Sequence, residues 1–223
     1  MSTIQKSTFS FLKDIAKHNN REWFTENKQR YVDAKENTEA FGKALKEKLS
    51  LHDLIDQMKV FRIYKDVRFS KDKTPYKTNM GISFSRATAA LRGGMYINIE
   101  PGNSFVGGGF WNPNSDDLKR IRYELSVNAS EMRDILNDPT FKQHFGELKG
   151  DKVKTSPKGF DKNHPDIDLI RYKQFLISEE FTDAEVMSED FIEKCDQCFK
   201  AMRPFFNFMS DVLTTNNNGE SIL

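Results

Sequence analysis

Hydrophobic periodicity changes twice along this chain, and those changes restrict its architecture more than any single motif does. Up to about Leu49, the residues Trp23, Phe24, Asn27, Tyr31, Ala34, Phe41, Leu45 and Leu49 largely follow separations of three and four, which line one face of a helix. From Lys59 to Trp111 the period falls to two in VFRIY, MGISFS, GMYINIE and NSFVGGGFW, with turn-rich SKDKTPYKTN, ATAALRGG and PGN between them. Helical spacing returns after Trp111. Short connections favour antiparallel pairing, and the order helices, strands, helices indicates an α+β fold. The expectation is a single domain over residues 1–215, a mainly antiparallel sheet of about four to six strands covered by N-terminal and C-terminal helices. Residues 216–223 read as a flexible tail.

Local signals set the expected boundaries. Ser7 or Thr8 can cap a short helix ending at Lys17, and Asn20 a second one, interrupted near Asn37 or Gly42. Ser115 can cap a helix that turns Leu118, Ile121 and Leu125 inward, another follows from Ser130, and a short one lies near DIDLI. A strand is expected in YKQFLISEEF, then a long helix from Ser188 that Pro204 bends or breaks. In MYINIE, Met95, Ile97 and Ile99 face one side while Tyr96, Asn98 and Glu100 face the other. One sheet face is therefore polar, a candidate floor for a site.

The 19 phenylalanines among 223 residues supply a core despite 30% charged residues. No apolar run reaches the roughly 20 residues that cross a bilayer, and the N-terminal stretch lacks the pattern of a secretory signal. No membrane association is expected, and the location reads as cytoplasmic. A formal net charge of +1 argues against a wholly basic nucleic-acid surface. A nucleic-acid partner is allowed but not favoured, and no protein partner is named by the sequence.

Familiar chemical motifs are missing. CDQC, Cys195 to Cys198, falls mid-helix on an apolar stripe, where core packing is the simpler reading. Zinc would need two more ligands, and His18, His52, His144 and His164 are scattered. No metal site is assigned and no cofactor is required. FVGGGFW lacks dinucleotide-binding spacing, so Gly107 to Gly109 suggest a bulge or the close approach of another ring or backbone. The acidic block 178–196 holds eight carboxylates against one lysine, either as a solvated helix start or docked on a basic partner segment.

That basic segment is KVFRIYKDVRFSKDKTPYK, residues 59–77, with seven Lys or Arg against Asp66 and Asp72. If it is extended, Phe61, Ile63, Lys65, Val67 and Phe69 share a mostly core-facing side, and Arg62, Tyr64, Asp66 and Arg68 share a polar one. One reading has Asp66 and Asp72 neutralising neighbouring arginines in a structural network. The other is a site for a small phosphate-like anion, with Arg62, Arg68 and Lys73 supplying charge, Tyr76 a hydroxyl, and Asp66 aiming the arginine forks.

The run Arg62, Asp66, Arg68, Phe69, Asp72, Lys73 and Tyr76 resembles the signature of a bacterial family, domain of unknown function 2461, with Lys65 where the signature has arginine. FSFLKDIAKHNNREWFTENKQRY, YINIEPGNSFVGGGFW and PKGFDKNHPDIDLIRYKQF extend the resemblance over nearly the whole chain. It implies no reaction, but adds Lys158, Gly159, Phe160, His164 and Lys173 as site candidates. An alternative to the anion-binding module is a phosphate-directed hydrolase using Asp66, Glu100 or His164 as acid, base or metal ligand. A third reading is a protein-interaction domain.

Overall fold

The computed structural model describes residues 2–216 and 218–223. Three helices, α1 (Lys6–Lys17), α2 (Arg21–Glu26) and α3 (Lys28–Leu49), precede four strands, β1 (Ile55–Val60), β2 (Met80–Arg86), β3 (Gly94–Ile99) and β4 (Ser104–Phe110). Next come α4 (Ser115–Val127), α5 (Ser130–Asn137), α6 (Pro139–Phe145) and α7 (Ile167–Ile170), then β5 (Phe175–Phe181), α8 (Asp183–Val186) and α9 (Phe191–Thr214). The five strands form one antiparallel sheet in sequential order, and the fold is α+β. Among the described residues, no helix is long and apolar enough to cross a membrane.

Several boundaries differ from the expected ones for identifiable reasons. Ser7 and Thr8 lie inside α1 rather than capping it, because Thr8 Oγ1 and the Gln5 amide both donate to Asn37 Oδ1 at 2.9 Å. Asn37 thus ties α1 to α3 instead of interrupting α3. Gly42 does not interrupt it either; a Cβ there would lie 3.1 Å from Met58 Sδ, so the missing side chain lets helix and sheet approach. The break falls at Asn27, between α2 and α3. Asn20 caps α2 as expected, accepting from the Trp23 amide at 2.9 Å. Asn114, not Ser115, caps α4, accepting from the amides of Asp116 and Asp117. Pro204 removes one amide donor from α9, yet the helix continues to Thr214, held by a buried stripe that includes Met202, Phe205 and Met209.

Two short helices carry signals that periodicity does not capture. α6 has Asp138 as its cap and Pro139 at its first position, and α8 closes a capping box between Thr182 and Glu185.

The chain folds into two compact units, each assembled from several separate stretches of sequence. The first comprises residues up to Ser85, 96–106 and 180–197. Its core includes Phe11, Leu12, Ile15, Leu45 and Ile82, with Phe41 stacked on Phe191 at 5.5 Å. The second comprises Arg86–Met95, Gly107–Glu179 and Cys198–Leu223. There the glycine run serves close packing: a Cβ on Gly108 would lie 2.7 Å from the Phe206 ring. One on Gly109, at φ +131°, would lie 2.1 Å from the Phe175 carbonyl oxygen. Arg133 grips Asp166 and Asp168, and Arg122 donates to the Ile170 and Tyr172 carbonyls. In the segment read as a tail, the Ile222 amide returns to the Thr214 carbonyl at 2.9 Å and Thr215 bridges Ser221. Asn217, within that expected tail, lies outside the described residues.

Candidate anion-binding face

The polar face follows from strand alternation in the first unit. Ile97 and Ile99 are fully buried, while Tyr96, Asn98 and Glu100 stand on the opposite side of β3 and its continuation. Asn79 Nδ2 donates to Asn98 Oδ1 at 2.5 Å, and Asn98 Nδ2 donates to the Asn103 carbonyl at 2.9 Å. Glu100 accepts from Thr78 Oγ1 at 2.5 Å and from Asn103 Nδ2 at 2.9 Å. These bonds fix the carboxylate in place.

Aromatic rings cross the same face. The β1–β2 pairing extends to the Phe61 amide, which donates to the Gly81 carbonyl at 2.9 Å. Tyr96 lies across Gly81, where a Cβ would come within 2.3 Å of the phenol oxygen. The Tyr96 ring is 6.0 Å from Phe61 and 5.9 Å from Phe105, giving a row of three partly exposed rings. Burial raises the Tyr96 pKa and keeps the phenol protonated.

Two ammonium groups crowd one end of this row. Lys59 Nζ lies 5.4 Å and Lys77 Nζ 5.5 Å from the Phe61 ring centroid, within cation–π range. Among the described residues, neither lies within ion-pair distance of a carboxylate. Burial lowers the Lys77 pKa, and the nearby positive charge of Arg62 lowers it further.

The rest of the basic segment is arranged differently. VFRIY is not a strand beyond Val60; β1 lies earlier, over IDQMKV, whose exposed Asp56, Gln57 and Lys59 mask its strand character. Residues 61–77 instead double back through one antiparallel bridge, Tyr64 to Tyr76, with Lys77 N donating to Ile63 O at 2.7 Å. The Asn19 side chain clamps both backbone groups of Tyr76, and Phe24 stacks on its ring at 4.1 Å. Tyr76 is consequently buried, and burial raises its pKa.

Alternation holds through Val67 but not at Phe69, whose place in the pattern predicts a core-facing ring and which is 96% exposed. Past the bridge the chain turns without a partner strand, so period two no longer selects a face.

Beyond that bridge the two carboxylates each pair with a cation. Arg68 sets Nε and a terminal nitrogen on the two Asp66 oxygens at 2.9 and 2.6 Å, and this contact holds the Asp66 pKa down. Asp72 pairs with Lys65 at 2.8 Å, not with an arginine, and also accepts from the Thr74 amide and hydroxyl. Lys65 is the main cause of its lowered pKa. Lys73 donates to the Val67 carbonyl at 3.0 Å, and Arg62 is exposed.

Residues 7–208 of the chain match the family described as conserved hypothetical protein (DUF2461). The chain belongs to that family. Neither the curated proteins nor the solved structures give a match to it.

The remaining site candidates of this DUF2461 protein fall in its second unit. Lys158, Gly159 and Lys173 are exposed, and Phe160 is half-buried. His164 uses both ring nitrogens locally: Nδ1 accepts from the Asp166 amide at 3.0 Å, so Nε2 carries the proton given to the Ser126 carbonyl at 3.0 Å. The acidic block is not gathered on the basic segment. Asp183 accepts from the Gly102 amide and pairs with Lys13, Glu193 pairs with Lys48, and Asp196 pairs with His52.

One cluster escapes the sequence reading. His144, Glu179 and Cys198 of the second unit bring an imidazole nitrogen, a carboxylate oxygen and a sulfur within 4.8 Å of one another. No fixed spacing announces it, since 35 residues separate His144 from Glu179 and 54 separate His144 from Cys198.

Proposed function

We propose that this DUF2461 protein binds a small phosphate-bearing ligand with a planar ring, of the mononucleotide type, on the polar face of β1 to β4. Lys59 and Lys77 meet the phosphate, and the Phe61, Tyr96 and Phe105 rings meet the planar group. The observation that carries this reading is the pair of ammonium groups near one phenylalanine ring with, among the described residues, no carboxylate within ion-pair distance of either. Burial and the nearby charge of Arg62 make the Lys77 ammonium costly to hold, and a bound anion relieves that cost. Asn79 and the Tyr96 hydroxyl add polar groups beside the same ring row.

The expected roles of other residues shift accordingly. Asp66 already occupies the Arg68 fork, and Tyr76 is buried among Phe24, Tyr31 and Tyr64, so both support the segment's shape more than a ligand. Arg62 contributes its field. A hydrolytic role has less support, because Asp66, Glu100 and His164 are each committed to internal hydrogen bonds. A reducing bacterial cytoplasm suits a chain whose two cysteines are both buried.

Isothermal titration with AMP, inorganic phosphate and adenosine tests the reading. AMP should bind more tightly than either fragment, since only AMP engages both lysines and rings. Equal affinity for phosphate and AMP would remove the ring row from the account. A steep fall of oligonucleotide affinity with salt, with no AMP binding, would replace it with a polyanion surface.

A further inference from the structure

The geometry points to a transition-metal site of the zinc type in the second unit, formed by His144 Nδ1, Glu179 and Cys198 Sγ. It is independent of the ligand reading above. Three elements deliver the donors: α6 carries His144 in its last turn, β5 carries Glu179, and α9 carries Cys198 on its buried stripe.

The position of Glu179 is the informative one. Phe175 and Ile177 of β5 are buried inward residues, and alternation makes Glu179 the next inward position. A carboxylate there needs a compensating partner. Its Oε2 lies 2.6 Å from His144 Nδ1 and 2.7 Å from Cys198 Sγ, while Sγ and Nδ1 are 3.9 Å apart. Around a tetrahedral zinc, with bonds of about 2.3 Å to sulfur and about 2.0–2.2 Å to nitrogen and oxygen, donor atoms stand roughly 3.4–3.6 Å apart. The sulfur and nitrogen are already near that separation, and withdrawal of the carboxylate oxygen by about 1 Å would admit the ion.

The donor chemistry selects the metal. A thiolate and a carboxylate neutralise a dication, and the sulfur and imidazole favour zinc or cobalt over magnesium or calcium, which take oxygen ligands. Three protein donors leave a coordination position for water or a ligand atom. The His144 and Glu179 side chains, 16% and 28% exposed, leave that position reachable from solvent.

The test uses the full-length, reduced protein, stripped of metal and titrated with Co²⁺. One equivalent should produce a thiolate-to-cobalt charge-transfer band, which Zn²⁺ displaces and Mg²⁺ does not. Cys198→Ser should abolish the band and Cys195→Ser retain it. Glu179→Gln should weaken cobalt binding by more than the roughly 10–100-fold typical of losing an outer-shell partner. Because Glu179→Gln keeps the side-chain shape, it decides the matter even if Cys198→Ser fails to fold. No band with the folded wild type would overturn the site, leaving a hydrogen-bonded trio. A band that survives in Cys198→Ser, or unchanged affinity in Glu179→Gln, would overturn it equally.

Discussion

Past the Tyr64–Tyr76 bridge, the basic segment sets Arg68 on Asp66 and Lys65 on Asp72; near its start and end, Lys59 and Lys77 lie beside the Phe61 ring, and among the described residues no carboxylate is within ion-pair distance of either. Both regions come from one stretch with a strong positive excess; the first contains both carboxylates of the segment, each paired with a cation, and the second contains none. Counting cations does not by itself single out a position; what distinguishes Lys77 in the proposed site is its partial burial beside the Phe61 ring with no carboxylate near it among the described residues. Exposed, fully paired charges such as Arg68 and Asp66 are screened by water and contribute little. A partly buried, unpaired lysine persists against its own electrostatic cost, which is the pattern of a group kept for a ligand.

The largest expected effect comes from removing both unpaired lysines. Lys59→Met with Lys77→Met should weaken AMP binding by roughly 10²–10⁴-fold, from two charge-assisted contacts of about 1.5–3 kcal/mol each. Titration calorimetry reads that loss directly. Arg68→Ala in the same assay should leave affinity within about threefold, and a loss matching the lysine variant would erase the distinction between the two regions.

A pH dependence of intermediate size should follow from Lys77. Its folded pKa lies below the ordinary lysine value of 10.5, because burial and Arg62 disfavour the charged form. Between the two values the unfolded chain binds more protons, so the stability of the ligand-free protein should rise with pH across that window. AMP affinity should fall across the same window, as the ammonium is lost. Arg62→Gln should move the fall to higher pH; an unmoved profile would disconnect Arg62 from Lys77.

The smallest effect belongs to the paired region. Asp66 is held below its ordinary carboxylate value of 3.8, so its contribution is fully present above that pH and disappears as the pH falls through its lowered pKa. Any difference in melting temperature between wild type and Asp66→Asn at neutral pH should therefore be slight and vanish in strong acid. A large difference would make this pair a structural keystone.

Parts of this arrangement are readable from residue order. The alternation of MYINIE places Tyr96, Asn98 and Glu100 on one face, because β3 is paired on both sides and has no freedom to turn. The same rule fails at Phe69 because only a single bridge holds that segment. The ring row is hidden for another reason: Phe61, Tyr96 and Phe105 become neighbours only through the register of several strands, and no local pattern states a register. Likewise, Glu179 sits in an acidic block that reads either as a solvated helix start or as docked on the basic segment, and only the pairing of its strand shows it turned toward His144.

The most direct measurement pairs AMP calorimetry with the melting temperature of Lys77→Met, a substitution that keeps the apolar stem against Phe61 while deleting the charge. If Lys77 is held for an anion, the variant should lose binding by about 10- to 150-fold while melting at the same or a higher temperature than wild type. Unchanged AMP binding together with a lower melting temperature would show that Lys77 serves the fold, and would contradict the proposed site.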